Sequence, residues 1–315
     1  MYYRHLCQRR FYMLKTLNDV LILYVQAKKT YLKESTYARY CNLIKNHISE
    51  TIGKESIDEL SNRKIQSYCD CQLALGLSPI VIKEIILLIK LSIKREAKLS
   101  GTTPLFIDLD LPPISKKKKI EILTRSEQKL LFDYILSNDK QKYSGVILCL
   151  MTGIRIGELC ALKWTDIDLK KRIIIVGKTL QRVCLKGESS IITITKPKTN
   201  NSDREIPISN ALYEFLCSIK PNNRDFYFLT GSSKYTEPRN YRKIYKTLIK
   251  KVKITNTSFH ALRHTFATRL IENKVDIKTV SELLGHASVN ITISMAVLQA
   301  PRPLREGLLV PHHRP

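Results

Sequence analysis

The clearest chemical signal in the sequence is a set of arginines and histidines at spacings that suit an anionic group. In the segment FHALRHTFATRL, His260, Arg263 and His264 fall at positions i, i+3 and i+4, so a helix would place them on one face. Arg155 lies shortly after Gly153, at the junction of two predicted helices. An arginine at such a junction presents a planar fork that matches two oxygens of a phosphate. The pattern therefore indicates a phosphate-binding site.

Three further residues extend this candidate site. Glu158 follows Arg155 by three residues and is predicted to orient it, although ordinary surface ion pairs share this spacing. Lys198 is predicted in a turn between two strands. Such a lysine is usually solvated, but at a hairpin tip over a DNA groove it could protonate a leaving 5′ oxygen. His286 follows Gly285 at a predicted helix end, from which its side chain can reach into a cleft.

The spacing of His260 and His264 also invites comparison with zinc-binding helices. Zinc sites of the HEXXH type hold a glutamate base between the two histidines, whereas this sequence has Ala, Leu and Arg there. The arginine would repel a divalent cation. No metal ion is therefore predicted, and His264 is interpreted as a core histidine whose hydrogen bonds are satisfied.

The charge of the chain indicates the class of its partner. Its 315 residues include 53 Lys and Arg against 28 Asp and Glu, a formal net charge of +25. So large an excess favours a polyanion, because each cation near a phosphate releases a condensed counterion. Nucleic acid is the leading candidate, with an anionic membrane surface or a merely solubilising charge as alternatives. No membrane span is predicted, since the apolar run IILLIKLSIK is interrupted by Lys90 and Lys94.

The eight cysteines favour a reduced compartment. They include no CxxC pair, and five fall within predicted helices, where a cysteine is usually a small buried hydrophobe. These five are Cys41, Cys69, Cys149, Cys160 and Cys217. Neither disulfides nor zinc sites are indicated, and we expect a cytoplasmic protein.

Hydrophobic periodicity divides the chain into two folded parts joined by a basic linker. A short basic arm at 1–13 precedes a helical bundle at 14–100, and the segment 101–120, rich in Pro and Lys, is the predicted linker. The larger part, 121–296, is predicted to be mainly α with a small antiparallel β-sheet. A Pro-rich tail follows at 297–315.

Capping residues predict where individual elements begin and end. Ser78 and Pro79 are expected to start the last helix of the bundle and Gly101 to stop it. Ser35 or Thr36 is expected to cap an earlier helix. Three short β-rich runs predict the strands of the sheet: KRIIIVG, SSIITIT and DREIPI.

Taken in order, these segments resemble the tyrosine recombinase (phage integrase) family. TGIRIGELCALKWTDID is similar to the family's first-arginine box, and TKPKTNNSDREIPI to its β-hairpin lysine segment. HALRHTFATRLIENKVDIKTVSELLGHAS is similar to its His-x-x-Arg and Leu-Gly-His boxes. The bundle, including STYARYCNLIKNHI, resembles the family's core-binding domain. The resemblance covers residues 14–293 and implies a two-domain recombinase architecture.

The resemblance implies cleavage and rejoining of duplex DNA, for integration or excision of a mobile element, without metal, ATP or other cofactor. Three residues would hold the scissile phosphate and stabilise its pentacoordinate transition state: Arg155, Arg263 and His286. His260 would assist proton transfer or phosphate binding, Lys198 would protonate the leaving 5′ oxygen, and Glu158 would support the site. In the family a tyrosine attacks to give a 3′-phosphotyrosyl link, and four protomers assemble on two DNA sites.

The expected position of the nucleophile departs from the family. Counting ten residues from His286 gives Ala296, and no tyrosine follows Tyr245. Ser294 and Thr292 carry hydroxyls, but no adjacent base is evident for either of them. Because a methyl group cannot attack phosphorus, a catalytically inactive derivative that only binds DNA is the alternative to an active recombinase.

Three explanations compete for this departure. An engineered change of tyrosine to alanine would leave the following residues family-like, whereas VLQAPRPLREGLLVPHHRP is Pro-rich and unsuited to an amphipathic helix. A frameshift, a rearrangement or a vector-derived tail accounts for both features. A tyrosine supplied by another protomer would have to belong to a protein of different sequence, because this sequence has no tyrosine in that region. A general DNA-binding regulator is less favoured, because simple DNA binding does not need the whole set of site residues.

Overall fold

The computed structural model describes residues 15–113, 122–183, 190–195, 203–255, 257–286, 288–290 and 292–293. Two compact units are present, Met1–Lys117 with Val183–Ile191 and Lys118–Arg182 with Ile192–Pro315. Helices predominate and the strands are short, so the prediction of a mainly α fold with a small antiparallel sheet is confirmed. The predicted arm at 1–13 and the tail at 297–315 lie outside the described residues, as do Lys198 and Ala296.

The described part of the first unit contains four α-helices. They are α1 (Leu17–Lys28), α2 (Glu34–Leu43), α3 (Asn62–Ala74) and α4 (Pro79–Ser100), and one π-helical turn, Ile44–Ile48, continues α2. Their inward faces carry the apolar residues of the periodic pattern, and Leu17, Leu21, Ile65, Ile85 and Ile89 are completely buried. Burial of these side chains is what holds the unit together, since each contributes about 1.5–3 kcal/mol by leaving water.

The helix boundaries follow local chemistry, with one exception. The Ser78 side chain accepts a hydrogen bond from the Val81 amide at the start of α4, and Gly101 ends that helix with a φ of 71°. The predicted Ser35/Thr36 cap is wrong, because α2 already begins at Glu34. An acidic residue in the first turn compensates the helix dipole there, so no side-chain cap is needed.

The first half of the predicted linker lies against the bundle. The Asn62 side chain donates to the Phe106 carbonyl and accepts from the Asp108 amide. Gln66, one helical turn further along α3, makes the same pair of contacts with the carbonyl and amide of Asp110. Two amide side chains thus bind an extended segment much as a neighbouring strand would. A separate linker between two domains remains a prediction.

The second unit is larger and its helices follow the predicted order. They are α5 (Arg125–Leu136), α6 (Lys140–Thr152), α7 (Ile156–Ala161), α8 (Asn210–Ile219), α9 (Pro238–Lys251), α10 (Phe259–Glu272) and α11 (Ile277–Leu284). The helix α6 lies at the centre, packed against α10, and Val146, Ile147 and Leu148 on successive positions are all buried. A helix that is apolar all round is expected only in such a central place.

Five short strands lie between α7 and α8 in the described ranges. They are β1 (Ile167–Asp168), β2 (Ile173–Val176), β3 (Thr179–Val183), β4 (Ile191–Thr195) and β5 (Arg204–Pro207). The strands β1, β2 and β5 form an antiparallel sheet in which Ile174 faces Ile206, whereas β3 and β4 form a separate pair. Among the described residues β4 and β5 have different partners. The predicted turn that holds Lys198 lies outside the described residues, so its place at a hairpin tip stays a prediction.

The helical cysteines differ in exposure. Cys69, Cys149 and Cys160 are buried, as expected of small hydrophobes, and Cys41 is half-buried. Cys217 is exposed, so the interpretation as a core residue is wrong for it. It stands on the outer side of α8, whose buried side is formed by Leu212, Phe215 and Leu216.

Close packing around the central helix gives the first prediction. A Cβ on Gly145 would lie 2.5 Å from Leu229 Cδ2 and 2.7 Å from the Tyr241 hydroxyl. We expect Gly145→Ala to lower the free energy of unfolding, measured in urea, by about 1–3 kcal/mol through overpacking. Gly177→Ala is the matched control, since its added Cβ meets only Asp203 Oδ1 at 3.6 Å. Equal losses in the two variants would contradict this account.

Candidate active site

The helix α7 begins with the first candidate arginine. Arg155 precedes its first residue, where the backbone is extended, and the Glu158 carboxylate accepts hydrogen bonds from both the Arg155 amide (3.0 Å) and one guanidinium nitrogen (2.8 Å). The Glu158 side chain is only 4% exposed, while that of Arg155 is 35% exposed. Glu158 therefore holds Arg155 from the buried side and leaves part of its guanidinium facing solvent.

A second arginine, which the sequence analysis did not single out, completes the environment of Glu158. Arg204, the first residue of β5, donates through its two terminal nitrogens to Glu158 Oε1 (3.2 Å) and Oε2 (2.9 Å). Its Nε donates to the Leu283 carbonyl at 2.7 Å, and its side chain is 6% exposed. One sequence signal could have found this contact. Arg204 begins a strand that enters the core, and a buried guanidinium requires a partner.

Burial alone would raise the pKa of Glu158, but its pKa lies below the ordinary value. The lowering comes from the hydrogen bonds and positive charge of Arg204, followed by the charge and amide of Arg155. Glu158 is therefore ionised at neutral pH.

Arg263 is the most deeply buried member of the site. Its side chain lies on α10, the residue is 1% exposed, and its terminal nitrogens donate to the carbonyls of Gly153 (2.6 Å) and Leu284 (2.7 Å). Those carbonyls belong to the C-terminal ends of α6 and α11, where helix carbonyls lack partners within the helix. Burial and the nearby charge of Arg155 lower the pKa of Arg263 to about 9. Arg263 thus joins two helix ends that lie far apart in the sequence.

Three consecutive carbonyls at the end of α11 each accept a hydrogen bond from a different guanidinium. Arg204 binds the carbonyl of Leu283, Arg263 that of Leu284, and Arg155 that of Gly285 at 2.7 Å. We call this set, with Glu158, the arginine–carbonyl cluster. The partial negative charge of a helix C-terminus favours cations there. Because His286 is the next residue along the chain, the cluster also sets where His286 lies.

His286 is almost enclosed, and its ring has one hydrogen-bond partner among the described residues. The residue is 8% exposed, and its Nδ1 lies 2.8 Å from the Thr292 hydroxyl oxygen. Burial and the charges of Arg263 and Arg155 lower its pKa to about 3, so the ring is neutral at pH 7. The expectation that no base adjoins Thr292 is therefore wrong. It was missed because the two residues are six positions apart, across a helix end.

The two histidines of α10 lie side by side. The rings of His260 and His264 have centroids 4.4 Å apart, and His260 is exposed. Surrounding protein partly desolvates both rings although His260 keeps an exposed face, and this desolvation, followed by neighbouring positive charge, lowers the pKa of both residues, to about 4 for His264. Among the described residues, the buried Nδ1 of His264 has no hydrogen-bond partner. The interpretation of His264 as a core histidine with satisfied hydrogen bonds is therefore wrong. Its ring packs edge-on against His260, and this contact does not satisfy Nδ1.

A cavity of about 260 Å³ opens beside these residues. Its wall includes His260 and Arg263 from α10 and Arg242 and Lys246 from α9, over an apolar floor that includes Ile154. The cavity therefore combines cationic groups with an apolar surface. Such a combination suits an anion that carries an organic substituent.

The arrangement brings together Arg155, Glu158, Arg263, His260 and His286, while Lys198 and Ala296 lie outside the described residues. Across the described ranges, no group of three His, Cys, Asp or Glu side chains is placed to hold a metal ion. Three guanidinium groups lie near one carboxylate: Arg155 and Arg204 pair with Glu158, and Arg263 binds only helix-end carbonyls, which leaves a positive excess in a partly dry environment. Preorganised donors of this kind stabilise anions and anionic transition states.

Comparison with known families gives matches over both units. The description "Phage integrase family" matches residues 121–296, and "Phage integrase, N-terminal SAM-like domain" matches residues 16–70. The first match covers more than half of the chain. In the part of the chain that the structure describes, no helix is both long and apolar enough to cross a bilayer.

Individual relatives agree with these matches. A tyrosine recombinase XerC-like protein of Caldanaerobacter subterraneus is 35% identical over 176 residues, 50% of this chain and 45% of that protein. Tyrosine recombinase XerD of Rickettsia bellii is 30% identical over 66% of this chain and 68% of its own length. The matches therefore span about half to two thirds of these relatives. The integrase of transposon Tn1549, solved with a circular intermediate DNA, has a TM-score of 0.75 at 22% identity, covering 89% of this chain and 95% of that one.

Removal of Arg204 tests the arginine–carbonyl cluster. Arg204→Met leaves the buried Glu158 carboxylate short of two hydrogen bonds, and we expect the free energy of unfolding to fall by about 3–5 kcal/mol. Arg182→Met is the matched control, because Arg182 makes a similar two-point contact with Glu237 (2.8 and 2.6 Å) while 40% exposed. Its expected cost is about 0–1 kcal/mol. Comparable costs in urea unfolding would show that Arg204 does not support the cluster.

The lowered pKa of His286 predicts a dependence of stability on pH. The unfolded chain protonates this histidine near its ordinary pKa, whereas the folded chain keeps it neutral down to about pH 3. Stability is therefore complete above the ordinary pKa and declines as the pH falls. From pH 8 to pH 5 we expect the free energy of unfolding to fall by about 2 kcal/mol less in His286→Gln than in the wild type. Urea unfolding of both proteins at pH 8, 6 and 5 measures this difference. An equal fall in the two proteins would contradict the lowered pKa of His286.

Proposed function

Because the chain belongs to the phage integrase family, we propose that it is a site-specific DNA recombinase that binds duplex DNA and holds one scissile phosphodiester among Arg155, Arg263, His260 and His286. The observation that carries this proposal is the convergence of these side chains around the arginine–carbonyl cluster. A net positive site of this kind suits a phosphodiester, and it suits the doubly charged pentacoordinate transition state still better.

Each residue of the site has a proposed part in the reaction. Arg155 uses two of its five N–H donors on Glu158 and Gly285, so others are available for non-bridging oxygens. Arg263 lines the cavity, and its two terminal nitrogens are held by helix-end carbonyls. His260 is exposed beside the cavity, where it could bind the phosphate or assist proton transfer. These positions support the roles that the family resemblance implies.

The proposed chemical step exchanges one P–O bond for another. A nucleophilic oxygen attacks phosphorus, the bond from phosphorus to the 5′ oxygen breaks, and Lys198 gives a proton to the leaving oxygen. In the family a tyrosine supplies the attacking oxygen and becomes linked to the 3′ phosphate. The reverse reaction with a partner strand restores the DNA backbone, which gives integration or excision of a mobile element.

The family matches and the net charge also support proposals for the domains, the DNA partner and the cellular location of the protein. We propose that the first unit acts as a core-binding domain, that segment 101–120 is a linker and that 121–296 is the catalytic domain, in keeping with the family matches at 16–70 and 121–296. The net charge of +25 supports a duplex DNA partner. Assembly of four protomers on two DNA sites, in the cytoplasm of a bacterium, completes the proposal.

A second candidate function rests on Ala296. The sequence has alanine ten residues after His286 and no tyrosine beyond Tyr245. A chain with this sequence would occupy recombination sites without cutting them. Such a protein would antagonise an intact copy by competing for the same DNA.

A cleavage assay separates these two functions. We expect the unmodified chain to retard, in a native gel, a nicked duplex that carries DNA flanking its own coding region, and to lose affinity steeply with salt. On a denaturing gel we expect no covalent protein–DNA band from the unmodified chain and a band from Ala296→Tyr. The matched control is Ala296→Phe, which adds the ring without the hydroxyl and should give no band.

Each outcome of this assay bears on a different part of the proposal. A covalent band from the unmodified chain would show that another nucleophile operates. Retardation of DNA by all three proteins with no band from Ala296→Tyr would favour the DNA-binding function. Failure to retard any duplex at low salt would contradict the proposed function itself.

A further inference from the structure

The contact between Thr292 and His286 assigns Thr292 a role. We propose that Thr292 is a positioning residue that selects one tautomer of His286, by donating its hydroxyl proton to Nδ1 so that Nε2 carries the ring proton. The protonated Nε2 is then the donor that His286 offers to an anion. The second step rests on the proposed function, whereas the tautomer itself does not.

The direction of this hydrogen bond follows from the surroundings of the hydroxyl. Thr292 is completely buried, and its oxygen lies 2.8 Å from His286 Nδ1. Within the described residues the Thr292 side chain makes no other hydrogen bond. If Nδ1 were the donor, the hydroxyl proton would be buried without an acceptor, which is costly. If the hydroxyl is the donor, both atoms are satisfied.

The opposite ring nitrogen is placed to use the result. His286 Nε2 makes no hydrogen bond to a described residue, and the residue keeps 8% of its surface exposed. The arginine–carbonyl cluster fixes the backbone just before His286, and Thr292 fixes the far side of its ring. Backbone and ring are thus held independently, which leaves Nε2 with one direction in which to donate.

The charge state of His286 makes the tautomer matter. A doubly protonated ring would carry a proton on both nitrogens, and Thr292 would then select nothing. Burial and the charges of Arg263 and Arg155 lower the pKa of His286, so a single proton must be allotted between its two nitrogens. Without the hydroxyl, Nδ1 could carry that proton and Nε2 would present a lone pair to the phosphate. The Nε2 lone pair and the negatively charged phosphate oxygen would then repel each other.

Thr292 is not itself the attacking group in this account. Its oxygen is enclosed and directed at His286, so it cannot reach a phosphodiester without rearrangement of the chain. The neighbouring base that would be needed to activate it is instead the group that it orients.

The tautomer can be measured directly in the free protein. Chain labelled with ¹⁵N-histidine is examined at pH 7.5 by long-range ¹H–¹⁵N correlation, and the signals of His286 are assigned by their loss in His286→Gln. We expect the wild-type spectrum to show a protonated Nε2 and an unprotonated Nδ1. We expect Thr292→Val to reduce the ratio of Nε2–H to Nδ1–H about tenfold or more, and Thr292→Ser to restore it.

Thr265→Val is the matched control. Thr265 is also completely buried, and its hydroxyl donates to the Ala261 carbonyl at 2.8 Å and accepts from the Leu123 amide at 3.0 Å. Thr265→Val therefore removes a buried hydroxyl and also leaves the Leu123 amide without that acceptor, so it is at least as disruptive as Thr292→Val, but it should leave the tautomer of His286 unchanged. A wild-type ring protonated at Nδ1, or a Thr292→Val spectrum identical to the wild type, would overturn the proposal. The wild-type spectrum alone decides it if the valine variant does not fold.

A second readout connects the tautomer to the proposed reaction. In the Ala296→Tyr protein we expect Thr292→Val to slow single-turnover cleavage about tenfold or more while DNA affinity changes less than about twofold. If the tautomer shifts as expected but Ala296→Tyr never cleaves, the proposed function fails and the assignment of Thr292 stands. If cleavage occurs and is insensitive to Thr292→Val, the role of the tautomer in the reaction is wrong.

Discussion

Hydrogen bonds from three guanidinium groups to one helix end are the contacts on which the rest of the site depends. Buried like charges repel, so three arginines can share a small volume only if each one finds compensating negative charge. Here the carbonyls of residues 283–285 supply part of that charge, and Glu158 supplies the remainder between Arg155 and Arg204. The compensation is incomplete, and the remaining positive charge favours an anion over a cation at this place.

The same contacts join segments that are distant in the sequence. Arg263 binds the carbonyls of Gly153 and Leu284, at the ends of α6 and α11. These two residues are 131 positions apart in the sequence. Gly153 has a φ of 67°, and an added Cβ would lie 2.6 Å from both Leu284 and Phe266. Close approach of α6, α10 and α11 therefore requires a glycine at that point. The architecture of the unit and the assembly of its site share one cause.

The sequence predicted the parts of this arrangement that are local. The spacing of Arg155 and Glu158 implied their contact because three residues span one turn at a helix start. Gly101 and Ser78 marked the ends of α4 for similarly local reasons. Prediction failed where partners come from elsewhere in the chain. Arg204 meets Glu158 across 46 positions, and a contact between residues so far apart has no periodic signature in the sequence.

The partners that hold the arginines have a further consequence. A carbonyl oxygen is present in every residue, so the acceptors at 283–285 do not depend on which side chains α11 carries. Side chains along α11 are therefore free to vary for packing or surface properties while the arginines keep the same acceptors. Only the position of the helix end must be kept, and Gly285, with a φ of 62°, terminates the helix there. Insertion or deletion of one residue in α11 would disturb this site more than most replacements of its side chains.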